Sequence, residues 1–98
     1  MARILLDLNN PVFQSSFSLE REEALVVLAT LRKIHHMDWD QLHRNRGLRW
    51  EAILSRTGPA GQRIYSLRVT GKLRAVAYRE GNFLRLLSLH PDSDSAYA

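Results

Sequence analysis

The sequence predicts an α+β fold: two N-terminal helices packed on one face of a twisted antiparallel β-sheet, in the order β-α-α-β-β-β-β. Three observations predict it. Apolar positions recur at helical spacing between residues 19 and 35, and the pattern changes to alternation after Gly47. Turn signals at 70–72 and 80–82 join the last three alternating runs into a meander. The 98 residues are 45% apolar and 24% charged, which is globular usage at a length suited to one domain, 1–98.

Residues 1–8 read as a short strand, and Asn9-Asn10-Pro11 as the turn that ends it. Ser18 is a candidate N-cap, followed by Glu20, Glu22 and Glu23 where a helix dipole favours acids. Leu19, Ala24, Leu25, Val27, Leu28, Leu31 and Ile34 then give the helical period, with Arg32 and Lys33 in the last turn. Asp38 is a second candidate N-cap, for a shorter helix running through Trp39, Leu42 and His43 toward Arg46, which Gly47 is expected to stop. Strands are expected at 48–54, 64–69, 73–79 and 83–90, with a Gly/Pro loop at 57–61 and a short tail after Pro91. Leu25, Leu28, Leu31, Leu67, Val69 and Leu86 are the expected core. With two layers, the helices cover one face of the sheet and leave the other free.

Charge is unevenly placed. Residues 44–85 hold ten of the fourteen Lys and Arg but only two acids, Glu51 and Glu80, for a local net charge of +8. Twelve of the fourteen cations are Arg, whose planar fork matches phosphate oxygens two at a time. A polyanion, most simply nucleic acid, is the implied partner; a solvated, solubilising surface is the bland alternative.

The hairpin register sharpens this. With three residues in the turn, Val69 faces Leu73, Leu67 faces Ala75 and Tyr65 faces Ala77, all apolar pairs fit for the covered face. Ile64, Ser66 and Arg68 then oppose Tyr78, Val76 and Arg74 on the free face, so Arg68 and Arg74 become cross-strand neighbours. Like charges in that position cost stability unless an anion lies between them.

Other chemistry is largely excluded. There are no cysteines, hence no disulfide or thiolate metal site. His35 and His36 point about 100° apart on a helix, a poor arrangement for sharing a metal. No Gly-rich phosphate loop, nucleophile elbow, secretory signal or membrane-length apolar run is present, so a cytoplasmic protein without cofactor or membrane partner is expected. The densest segment is His90-Pro91-Asp92-Ser93-Asp94-Ser95-Ala96-Tyr97. Metal-independent RNA cleavage needs a base for the 2′-hydroxyl, an acid for the leaving oxygen and cations for the phosphorane. His90, Asp94 and Tyr97 are candidate proton handlers, and Arg68 and Arg74 candidate cations. Strand capping, Asx turns and packing at the core rim account for the three tail residues equally well.

Ile64-Tyr65-Ser66-Leu67-Arg68-Val69, then Leu73-Arg74-Ala75-Val76-Ala77-Tyr78, then a last strand leading to an Asp-x-x-Tyr tail, resembles the RelE/ParE superfamily of toxins from bacterial type II toxin–antitoxin systems. The resemblance spans nearly the whole chain. It implies the toxin of such a system: a ribosome-dependent mRNA endonuclease that inhibits translation, held by a cognate antitoxin protein that carries the complex to operator DNA. It gives Arg74 the transition-state phosphate, Arg68 and Lys72 the basic positions that meet the RNA, Asp94 the acid of the tail motif, and Tyr97 the substrate base; Arg85, from the basic centre, is a further candidate RNA contact. Ser93 stands where the RelE-like branch has a catalytic histidine, which implies a weakened nuclease or one that works through His90. Two rival readings stay open: a ParE-like poison of DNA gyrase with no nuclease site, and a plain RNA- or protein-binding module.

Overall fold

The computed structural model describes residues 3–15 and 21–91. The element order is β1 (Leu5–Asp7), α1 (Pro11–Ser15), α2 (Arg21–His35), α3 (Trp39–Arg44), β2 (Glu51–Thr57), β3 (Arg63–Arg68), β4 (Arg74–Glu80) and β5 (Phe83–His90). The architecture is α+β, with helices against a five-stranded sheet of order β1-β5-β4-β3-β2. The β2-β3, β3-β4 and β4-β5 pairs are antiparallel. β1 instead pairs with β5 in parallel, so the sheet is mixed where a wholly antiparallel one was expected.

The expected three-residue turn between β3 and β4 is present in its register: Tyr65 pairs with Ala77, Ser66 with Val76, Leu67 with Ala75 and Arg68 with Arg74. Thr70 holds that turn, its hydroxyl accepting from the Leu73 amide at 2.9 Å. Leu67, Val69, Ala75, Ala77, Leu84, Leu86 and Leu89 form the sheet side of the main core. Val27, Leu31 and Ile34 of α2, with Phe13, Trp39 and Leu42, form the helical side. Thr30 fastens α2 to the sheet by donating to the Val69 carbonyl at 2.7 Å.

Leu25 and Leu28, expected in the core, are 56% and 50% exposed. The buried stripe of α2 is Val27-Leu31-Ile34, spaced i, i+4, i+7, while Leu25, Val26 and Leu28 lie outside it. Apolar residues surround this helix, so their recurrence announces a helix without selecting its inner face.

The segment read as a turn at Asn9-Asn10-Pro11 opens into the short helix α1. Asn10 is its cap, with Oδ1 accepting from the amides of Val12 (2.8 Å) and Phe13 (3.3 Å), and Pro11 fits the first helical position. This places Phe13, 1% exposed, in the core. The expected Ser18 cap and the start of the helix at residue 19 lie outside the described residues. Asp38 caps α3 as expected, in a reciprocal capping box with Gln41. That helix stops at Asn45, before Gly47. The strand expected at 48–54 runs three residues later, because Arg49 adopts a left-handed conformation (φ 49°) and interrupts any extended start.

α3 is pinned by aromatic contacts. Trp39 meets Trp50 edge-on at 5.7 Å, and Trp50 stacks on Tyr65 at 4.5 Å. Trp39 also donates its indole N–H to the Asn82 carbonyl and carries the Arg79 guanidinium 4.3 Å above its ring.

Replacement of Ile34 by Ala should cost about 2–5 kcal/mol in denaturant unfolding. The same change at Leu25 should stay within about 0.5 kcal/mol, as for other exposed positions.

Candidate functional site

The free face of the sheet carries a row of three side chains contributed by three strands. Arg68, last in β3, pairs with Arg74, first in β4, and Arg74 pairs with His90, last in β5. All three are partly buried. The Nε of Arg68 is a buried donor with no acceptor, and no partner engages the Arg74 guanidinium among the described residues. Buried donors in native structures are nearly always satisfied, so the unsatisfied Nε beside a second guanidinium sets this place apart from the rest of the described surface.

His90 reaches this face because β5 carries an irregularity. Ala77 pairs with Leu86 but Val76 pairs with Ser88, leaving Leu87 as the extra residue of a β-bulge. Strict alternation from Leu84 and Leu86, both in the core, would turn Ser88 and His90 inward as well. The inserted residue reverses the parity: Leu89 returns to the core, and Ser88 and His90 face out beside Val76 and Arg74. The Ser88 hydroxyl and His90 Nε2 are hydrogen-bonded at 2.8 Å, which orients the ring. One step along the face, the strand register aligns Glu51, Ser66, Val76 and Ser88. Next to them, Ile53, Ile64 and Val76 form a second, smaller apolar cluster with Tyr78 and Leu87 against it. A groove of about 310 Å³ crosses this cluster, with Ile64, Val76 and Leu87 in its floor and Arg56 and Ser88 in its walls. Ser88, Ser66 and Glu51 were not singled out from the sequence. The Leu87 bulge that aligns them follows no residue signal, since the 83–90 run alternates evenly enough to hide it.

The other expected site residues are placed differently. Arg85 lies on the free face opposite Tyr78, four residues along β4 from Arg74, or about 13 Å at strand rise. It is committed there to Asp7 and Glu80 (2.8 Å) and lies over the Phe83 ring at 4.6 Å. Its pKa is raised, first by the hydrogen bond to Asp7. The Asp7 carboxyl is held below its ordinary value, first by the Asn9 amide and then by Arg85, against a smaller opposing effect of burial. Lys72 is exposed in the β3-β4 turn and shares a groove with Glu22 and Glu23 of α2, away from the arginine row. Ser93, Asp94 and Tyr97 lie outside the described residues. No cluster of three or more His, Asp or Glu able to hold a metal occurs among the described residues, and no described helix is long and apolar enough to cross a membrane.

The Asp7 shift has a pH consequence. A lowered folded-state pKa contributes stability that is fully present above the unfolded value, about 3.9, and is lost as pH falls through the lower folded value. Asp7→Asn should therefore unfold at lower denaturant concentration than the parent at pH 7. The two should converge in acid below that range, as followed by urea titrations at a series of pH values.

No protein-family model and no curated protein matches the chain. Among solved structures it is similar to a copper-bound mutant toxin from Helicobacter pylori, with a TM-score of 0.52 and 18% identity over 96% of this chain and 98% of that one. At this identity the likeness is one of fold.

Proposed function

We propose that this chain is the toxin of a type II toxin–antitoxin system and that it cleaves mRNA on the ribosome. One observation carries the reading: Arg68, Arg74 and His90 stand in one row on the face opposite α2 and α3, with a buried guanidinium donor unsatisfied among the described residues. The fold shared with a bacterial toxin supports it.

In this reading the scissile phosphate lies across Arg68 and Arg74, whose charges oppose one another until an anion separates them. His90, oriented by Ser88, accepts the proton of the 2′-hydroxyl. The 2′-oxygen bonds to phosphorus, the bond to the 5′-oxygen breaks, and the leaving oxygen is protonated, giving a 2′,3′-cyclic phosphate and a 5′-hydroxyl. Arg74 and Arg68 stabilise the extra negative charge of the pentacoordinate phosphorus, a preorganised electrostatic contribution. The apolar floor of Ile64, Val76 and Leu87 gives a base beside that phosphate a surface to rest on. Asp94 and Tyr97 take the tail's share, in returning the proton and stacking on the base. Arg85, tied to Asp7 and Glu80, shapes the far end of the face rather than offering a free charge. The antitoxin finds apolar anchors at Leu25, Val26 and Leu28, which α2 leaves exposed, and acidic residues in it offset the basic centre.

The test is growth arrest together with single-turnover cleavage on programmed ribosomes. Arg74→Ala should lose about 10²–10³ in rate, as for removal of other preorganised oxyanion donors. His90→Ala should fall by about 10²–10⁴, the range of a positioned acid–base group. Ser93→His should raise both cleavage and arrest, because an imidazole titrates near neutrality and a serine hydroxyl does not. Intact mRNA accompanied by DNA breaks would instead class the chain with gyrase poisons.

A further inference from the structure

Two grooves outside the candidate row lead away from it. One, of about 400 Å³, lies between the end of α2 and α3 and is lined by Lys33, His36, Gln41 and Arg44 among others. The other, of about 190 Å³, lies between α2 and the end of β3, and Arg68 lines it. Lys33 and Asn45 line both, so the two grooves adjoin at these side chains. Arg68 is at the same time the outer member of the row formed with Arg74 and His90. Among the described residues no carboxylate lines either groove. Of the two acids at α3, Asp38 is committed to that helix's capping box, where its Oδ1 accepts from the Gln41 amide at 2.8 Å, and Asp40 in the first turn lines neither groove.

We propose that these grooves form one phosphate track. A single RNA strand whose reacting phosphate sits on Arg68 and Arg74 continues round the end of the sheet, and its neighbouring phosphates are bound by Lys33 and Arg44. The track rests on the nucleic-acid reading of the row and extends it to a surface built by the helices. Arg44 supplies a fork and Lys33 a point charge, both suited to phosphate. Gln41 and Asn45, whose side-chain oxygens already accept from the Asp38 and Leu48 amides, have their NH2 groups left to donate to phosphate, 2′-hydroxyl or base-edge acceptors. A protein segment would draw its affinity from apolar or aromatic anchors seated in pockets. In the first groove Met37 is the one aliphatic side chain, beside the His36 ring, and in the second Leu48 and Val69 are buried in the core, which favours a strand of phosphates over an acidic peptide.

The experiment measures equilibrium binding of 2′-O-methyl RNA, which cannot be cleaved, in lengths of about four and about sixteen nucleotides over a range of salt. It compares the full chain with Arg74→Ala and with the double variant Lys33→Ala, Arg44→Ala; Lys33→Gln is a milder second probe, and circular dichroism confirms folding. Each phosphate contact adds about 0.7 to the salt slope for a single strand. The double variant should therefore bind the long RNA about tenfold more weakly near 0.1 M salt, lower its slope by about 1.4, and leave the short RNA unchanged. Arg74→Ala should weaken both lengths. Unchanged binding of the long RNA by the double variant, while Arg74→Ala still weakens it, overturns the track and leaves the row standing. Long-RNA binding that is indifferent to Arg74 overturns the reading of the row and the track with it. Equal losses on both lengths, or competition by polyglutamate as effective as by RNA of the same charge, also overturn the track.

Discussion

The position of Leu87 decides which side chains at the end of β5 share a face with Arg74. β4 and β5 pair in two registers joined at one bulged residue, and the side chains beyond it change faces. Before the bulge, Leu84 and Leu86 complete the core under α2. After it, Leu89 returns to the core, while Ser88 and His90 stand on the open face beside Val76 and Arg74. The β3-β4 turn fixes the other half of the row by pairing Arg68 with Arg74. A slip of one residue at either place would send a member of the row into an apolar interior, where a charge is not tolerated without a partner. The core and the candidate site are thus specified together, because the burial that locks the register also selects which polar groups face outward.

The basic centre divides by what each cation does. Arg79 packs over Trp39 and helps hold α3, and Arg85 is neutralised by Asp7 and Glu80. Both belong to the framework. Arg68 and Arg74 lack such partners among the described residues and face each other across two strands. Like charges in directly opposed cross-strand positions disfavour a sheet unless an anion lies between them, which is why the proposed function places a phosphate there. A net charge of +4 attracts polyanions to the whole surface, whereas in the proposed function the opposed forks of Arg68 and Arg74 give one phosphate a defined orientation.

Much of the fold is legible in the sequence. The odd-numbered turn at 70–72, argued only from keeping Leu67, Val69 and Tyr65 opposite apolar partners, yields the observed pairing residue for residue. The Asp38 cap and the 83–90 strand are legible for the same reason: each follows from local chemistry. What was not legible depends on packing at a distance. Leu25 and Leu28 fit a helix as well as Val27 and Leu31 do, and only docking on the sheet decides between the stripes. α1 brings Phe13 into the core, and β1 pairs in parallel with β5, the last strand of the chain, a partner that no local signal announces. Within the site, Arg68 and Arg74 were legible as a pair. The addition of His90 to them depends on a bulge that alternating apolar residues conceal, and the commitment of Arg85 depends on Asp7, 78 positions away.

The central claim is that the Arg68–Arg74–His90 row is an anion site whose internal repulsion RNA relieves. Thermal unfolding of the parent chain and of Arg74→Gln at low ionic strength, each with and without uncleavable RNA, tests it most directly. The account predicts that Arg74→Gln alone unfolds at a temperature no lower than the parent, and that RNA raises the transition of the parent but not of the variant. A variant that is less stable than the parent without RNA, yet gains as much stability from RNA, would contradict it.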